Sequence, residues 1–124
     1  MNITNSVRWF SICIFNDSSV LVGGFEIIYR FDFNETHIWN HSLVYSLPRE
    51  LITGITLHSY NKSEGFISHI QERRFHHITF NGTRVISAGM NFQLQIQSNS
   101  MDIKFNHKGN RMLASYGDGS IYLL

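Results

Sequence analysis

The sequence predicts an all-β chain. Three observations carry the prediction. Apolar and polar residues alternate with period two at 27–34, 92–97 and 101–106; the turn pairs Asn81-Gly82 and Asp118-Gly119 punctuate such runs; and no segment of ordinary helix length carries an apolar stripe of helical period.

Taken in order, residues 9–15 (WFSICIF) form an apolar run short enough for a buried strand, closed by the polar turn cluster Asn16-Asp17-Ser18-Ser19. Residues 20–25 follow as a second strand. Glycine weakens a strand without a reason, so Gly23-Gly24 implies a bulge or a close backbone approach. Ile27, Tyr29, Phe31 and Phe33 then alternate with Ile28, Arg30, Asp32 and Asn34 as a two-faced strand. Between 36 and 74 the pattern is broken, with short strands expected at 43–45, 52–60 and 65–70. It sharpens at 75–80, which turns through Asn81-Gly82 into 83–88. Phe92, Leu94 and Ile96 then face away from Gln93, Gln95 and Gln97. Met101, Ile103 and Phe105 alternate with polar neighbours, His107-Lys108-Gly109-Asn110 turns the chain, and strands at 111–116 and 120–124 flank Asp118-Gly119.

The composition narrows the function. In 124 residues, 43% are hydrophobic and only 15% charged, which suits one folded domain rather than a disordered tail. A net charge of +1 gives no field for phosphate backbones, so nucleic acid is not an expected partner. Cys13 is the sole cysteine, which excludes an intrachain disulfide and suits a reducing compartment, cytoplasm or nucleus. The first ten residues lack the pattern of a secretory signal, and no apolar stretch has the length of a membrane span. There is no nucleophile elbow, phosphate-binding glycine loop or carboxylate pair, so no catalytic residue and no cofactor site is assigned. No metal site is assigned either. His37 and His41 lack the helix that would converge them, and His76 and His77, adjacent in a strand, point to opposite faces.

Three segments echo one another: VLVGGFEIIYRFDF from Val20, ITFNGTRVISAG from Ile78 and IKFNHKGNRMLASYG from Ile103. Gly23 and Ser115 stand 92 residues apart, about two steps of the ~40–45-residue period of a propeller. Phe80 and Phe105 stand only 25 apart, which leaves the middle unit shortened, inserted or misaligned. The expected architecture is a partial β-propeller of about two to three four-stranded antiparallel blades. Its first blade lies at 7–39, a divergent or inserted region with a hairpin at 75–97 lies at 40–100, and an incomplete last blade lies at 101–124. The abrupt end at Leu124 reads as that of a fragment.

The last unit resembles a WD repeat, with Leu113, Ala114, Ser115, Asp118 and Gly119 in the places of the Leu-Ala-Ser-Gly strand and Asp-Gly turn. Leu124 stands where the repeat has Trp. The resemblance gives Ser115, Asp118 and Gly119 structural roles. In the first unit Phe31-Asp32 occupies the Trp-Asp position. Together with SVRWFSICIF and SYGDGSIYLL, these residues are similar to the cullin-4-associated substrate receptors of the WD and tetratricopeptide repeats protein type. That likeness implies a non-catalytic protein-interaction scaffold that docks a cullin-4 ligase adaptor through Phe31, Asp32 and Asn34. Asn34 replaces the motif's Arg and supplies no guanidinium.

Two alternatives stand beside that reading: a WD-repeat scaffold unrelated to ubiquitin transfer, and a secreted glycosylated all-β protein. The second rests on six Asn-x-Ser/Thr sequons, at Asn2, Asn16, Asn34, Asn40, Asn61 and Asn81. Arg73-Arg74 reads as a solvated joint.

Overall fold

The computed structural model describes residues 8–69, 74–93 and 100–124, and every element among them is a strand. β1 (Trp9–Asn16) pairs antiparallel with the start of β2 (Ser19–Phe33), placing Ile12 opposite Val22 and Ile14 opposite Val20. The polar cluster after β1 makes the turn: Asn16 Oδ1 accepts from the Ser18 amide at 2.9 Å.

β2 is one strand by hydrogen bonding but occupies two rungs of its sheet. It doubles back at Glu26, whose φ of 71° is unusual for a residue with a side chain. The Phe33 amide consequently donates to the Ser18 carbonyl at 2.9 Å, which lays residues 27–33 beside residues 19–24. β3 (Ile38–Leu57) closes this first sheet by pairing with the returning limb, Tyr29 opposite Leu43 and Phe31 opposite His41. The sheet therefore has four rungs, β1, the two limbs of β2 and the first limb of β3.

β3 then changes sheets. At Arg49, φ is 67°, and its amide donates to the Glu26 carboxylate at 3.2 Å, so the two unusual residues brace one another. Beyond them, residues 52–57 pair with β4 (Glu64–His69), which pairs with β5 (Arg74–Phe80), which pairs with β6 (Val85–Gln93). This second sheet carries register shifts between Ile52 and Gly54, Phe75 and His76, and Thr79 and Phe80. The third has β7 (Ser100–Phe105), β8 (Met112–Tyr116) and β9 (Ile121–Leu123), joined by the expected turns with Gly109 at φ 75° and Gly119 at φ 89°.

The pairing differs from the sequence expectation in two places. The joint expected after residue 39 falls inside β3, and the stretch expected to be divergent from 40 onward completes the first sheet and builds the second. The short strand expected at 43–45 and the part of 52–60 up to Leu57 are pieces of this one 20-residue element, and 58–60 lie beyond it. The echo was also out of phase. Val20 begins a second rung, Ile78 lies in a third and Ile103 in a first, so Phe80 and Phe105 are not equivalent. Gly23 and Ser115 both lie on second rungs, which is why their two-step spacing fits. Leu94 and Ile96, expected to continue a strand, lie outside the described residues.

Side-chain packing holds the sheets face to face. Leu21, Ile28 and Val44 of the first meet Ile52, Ile55, Ile67, Ile78 and Phe80 of the second, all at most 5% exposed. Gly23 is required here, since a Cβ on it would stand 2.7 Å from Ile52 Cγ2. The second core joins Phe66 and Phe75 to Ile103, Ala114 and Tyr116 of the third sheet. Gly54 lets β7 approach, since its Cβ would lie 2.9 Å from the Ile103 amide.

Candidate binding groove

The first rungs of the three sheets converge. Ser11 Oγ of β1 donates to the Ile52 carbonyl at 3.2 Å, and the Phe105 amide of β7 donates to Thr56 Oγ1 at 3.0 Å. Lys104 ties all three together: its Nζ donates to the Ile55 carbonyl at 2.8 Å and to the Ile12 carbonyl at 3.3 Å. The Ile12 carbonyl lies on the outer edge of β1, so this ammonium takes the place of a neighbouring strand.

Where these rungs meet, a cavity of about 450 Å³ is lined by Trp9, Phe10, Ile12 and Val22 on one wall and by Thr53, Asp102 and Lys104 on the other. Its chemistry is asymmetric. The β1 wall is aromatic and aliphatic, with Phe10 half exposed. The β7 wall carries one cation and one carboxylate 4.0 Å apart, and Asp102 Oδ1 already accepts from the Ile103 amide. Such a groove holds an apolar side chain on one side and pairs polar backbone on the other. On the adjoining stretch of β1, burial pushes the Cys13 thiol up despite the nearby Lys104. Among the described residues no three His, Cys, Asp or Glu side chains gather as metal ligands.

The residues singled out from sequence lie elsewhere. Phe31 is buried in an aromatic cluster, edge-on to Trp9 at 5.7 Å and beside Tyr29 and His41. Asp32 is a buried latch. It accepts from Ser19 Oγ at 2.5 Å, Arg30 Nε at 2.9 Å and Asn40 Nδ2 at 2.9 Å. Burial alone would raise its carboxyl, but these three donors more than offset that and hold it below the usual carboxylate range. Arg30 also lies over the Phe15 ring and donates to the Gly82 carbonyl, latching the first sheet to a turn of the second. Asn34 is exposed and caps its own turn, accepting from the Thr36 amide and hydroxyl and the His37 amide. The structure thus brings Phe31 and Asp32 into packing and leaves only Asn34 at the surface. Ser115 sits opposite Ile121, and Asp118 and Gly119 form the following turn, where two hydrogen bonds from Ser120 lower the Asp118 carboxyl.

The histidines are dispersed. His77 Nε2 lies 2.8 Å from Glu64, His76 packs edge-on to His69, and His41 stacks on Tyr29 while His37 contacts Thr36. Arg73 and the side chain of Arg74 lie outside the described residues. What the sequence reading missed is the groove: Trp9, Thr53 and Lys104 are remote in sequence and share no motif, and only the radial meeting of first rungs brings them together.

No family model matches the sequence, and no curated protein matches it. Among solved structures the chain is similar to the WD40 β-propeller domain of Doa1, with a TM-score of 0.72 at 10% identity over 98% of this chain and 38% of that one. It is also similar to YCF48 bound to D1 peptide, with a TM-score of 0.69 at 12% identity over 100% and 40% of the two chains. A third likeness is to a chain of a nidogen/laminin complex, with a TM-score of 0.65 at 12% identity over 80% and 36%. These likenesses are of fold: the chain has the architecture of part of a WD40-type β-propeller and spans 36–40% of those three chains.

Proposed function

We propose that this chain is a non-catalytic protein-interaction scaffold that holds an extended apolar peptide in the groove between β1 and β7. The observation that carries this reading is the meeting of Trp9, Phe10 and Ile12 with Asp102 and Lys104 along the open edge of β1. Support of a general kind comes from solved structures of similar fold, the WD40 β-propeller domain of Doa1 and YCF48 bound to D1 peptide. Selection from a library of extended peptides tests it. Binders are expected to alternate apolar residues, to quench Trp9 fluorescence, and to lose at least about tenfold affinity with Phe10→Ala. Equal binding to the Phe10→Ala chain would exclude the groove.

The finer form of this proposal is a receptor of a cullin-4 ligase, acting in the cytoplasm or nucleus. It rests on the sequence likeness at Phe31-Asp32, Ser115, Asp118 and Gly119. With Phe31 and Asp32 buried, docking would fall to Asn34 and its turn, which offer hydrogen bonds and the Glu35 carboxylate but no guanidinium. Affinity purification from cells distinguishes the two forms: recovery of adaptor and cullin-4 supports the receptor, and peptide binding without them leaves a scaffold outside ubiquitin transfer.

One observation favours a second reading. Asn16, Asn34, Asn61 and Asn81 are exposed at turns, and each Oδ1 accepts from the hydroxyl two residues on. Four sequons presented in this way suit a glycosylated, secreted protein. A mass shift removed by glycosidase would decide for it.

A further inference from the structure

Four of the six sequons lie at one edge of the first two sheets. Successive antiparallel strands turn alternately at the two ends of a sheet. β1 runs to Asn16, the returning limb of β2 runs to Asn34, residues 52–57 run to the turn that holds Asn61, and β5 runs to Asn81. Hydrogen bonds hold these four turns side by side. The Phe33 amide donates to the Ser18 carbonyl at 2.9 Å, the Phe80 amide to the Ser63 carbonyl at 2.7 Å, and Arg30 of the first sheet to the Gly82 carbonyl of the second. Phe15, Lys62, Asn81 and Gly82 line a common hollow of about 240 Å³ there. At the opposite edge the strands join through Glu26 and Arg49.

The four asparagines hold their turns with oxygen and leave nitrogen in water. Oδ1 of Asn16, Asn34, Asn61 and Asn81 accepts from both the amide and the hydroxyl two residues on, at 2.5–3.2 Å. Nδ2 of each makes no hydrogen bond among the described residues, and all four residues are exposed. Asn40 is built the other way. Its Nδ2 donates to Asp32 Oδ2 at 2.9 Å, so a sugar on that nitrogen would sit against the buried carboxylate and open the latch. Asn2 lies outside the described residues.

On the glycosylated reading given above, we propose that Asn16, Asn34, Asn61 and Asn81 carry asparagine-linked oligosaccharides and that Asn40 does not. The glycans sheathe this one edge and leave the groove open toward the other. In the transfer, Nδ2 attacks C1 of an oligosaccharide carried on a lipid diphosphate. The N–C1 bond forms as the C1–O bond to the diphosphate breaks; the diphosphate leaves with the electron pair, and Nδ2 gives up one proton. At the four turns this costs the fold no hydrogen bond, because Oδ1 carries them. The groove lies clear of the sugars. Phe10 stands six residues before Asn16 on β1, about 20 Å away along an extended strand, and Trp9, Thr53 and Asp102 likewise lie toward the starts of strands that run to the sequon edge. A partner therefore reaches the groove from the edge of Glu26 and Arg49.

Glycan release by amidase in heavy-oxygen water marks each occupied asparagine as a labelled aspartate. Peptide mapping of the protein from its natural source is expected to show labels at Asn16, Asn34, Asn61 and Asn81 and none at Asn40. Ser42→Ala, which destroys the Asn40 sequon, should leave the glycan mass unchanged, whereas Thr83→Ala should remove one glycan. Placement is read in a Cys13→Ser background with a bulky maleimide: glycan release should speed labelling of Asp17→Cys several-fold and leave that of Phe10→Cys unchanged. Complete absence of label overturns the glycosylated reading and this inference with it. A label at Asn40, any of the four left bare, or faster labelling of Phe10→Cys after release overturns this inference alone.

Discussion

The first and third sheets are attached to the second by different means, and the difference shows where this molecule keeps its stability. The first shares a strand with the second, since β3 passes through Arg49 without leaving its hydrogen-bonded course, and it is latched by Arg30 to the Gly82 turn. Their common core is aliphatic and deep, with Ile52, Ile55 and Ile67 wholly buried. The third sheet has three short strands and an aromatic core, and the contacts described above between it and the rest are side-chain packing with a few hydrogen bonds from β7. The first two sheets therefore form one cooperative body and the third a weaker annex.

The largest test of that contrast is at Phe80, which is 1% exposed and meets Phe15 edge-on at 5.3 Å across the first core. Phe80→Ala should cost about 3–5 kcal/mol, read as one cooperative loss of the first two sheets in denaturant unfolding. Local loosening of β5 and β6 with the first sheet intact would show that the shared strand does not couple them.

A smaller effect is expected at the polar latch. Asp32→Asn keeps the shape but leaves Arg30 facing a neutral amide, at a cost of about 2 kcal/mol. The acid dependence gives the sharper reading. The folded carboxyl titrates below its unfolded value of about 3.9, so its stabilisation is complete above that value and is lost as pH falls through the lower, folded one. Asp32→Asn should flatten that acid limb. An unchanged acid limb would mean that other carboxylates set it.

Much of this architecture was legible in the chain, for reasons that also explain the failures. WFSICIF, Gly23 and the Asp118-Gly119 turn signal through local rules, because strand periodicity, close approach and positive φ each act on one or two residues. The return of β2 and the crossing of β3 did not, since Glu26 and Arg49 adopt positive φ without being Gly or Asn. The three echoing segments misled because any hairpin with Asn or Gly at its turn looks alike, whichever rungs it joins. Asp32 stood out in the sequence as a candidate docking position; its alternation with Phe31 and Phe33 gave no sign that Ser19 and Asn40 would close over it.

The smallest effect belongs to the annex. Tyr116 is 4% exposed, packs edge-on to Phe75 and Tyr122, and its hydroxyl has no hydrogen-bond partner among the described residues. Burial, aided by Tyr122, pushes the phenol up to about 12. Removing an unpaired buried hydroxyl while keeping the ring is nearly neutral, so Tyr116→Phe should change stability at pH 7 by less than about 0.5 kcal/mol. The alkaline side separates it from the latch. A folded value above the unfolded value of about 10 means that the stabilisation is complete below 10 and is lost as pH rises toward 12. Hydrogen exchange should therefore show β7 to β9 opening between those values while β1 to β4 hold, and Tyr116→Phe should remove that opening. Simultaneous opening of all three sheets in alkali would make the third sheet part of the cooperative body, and the contrast drawn from β3 would fall.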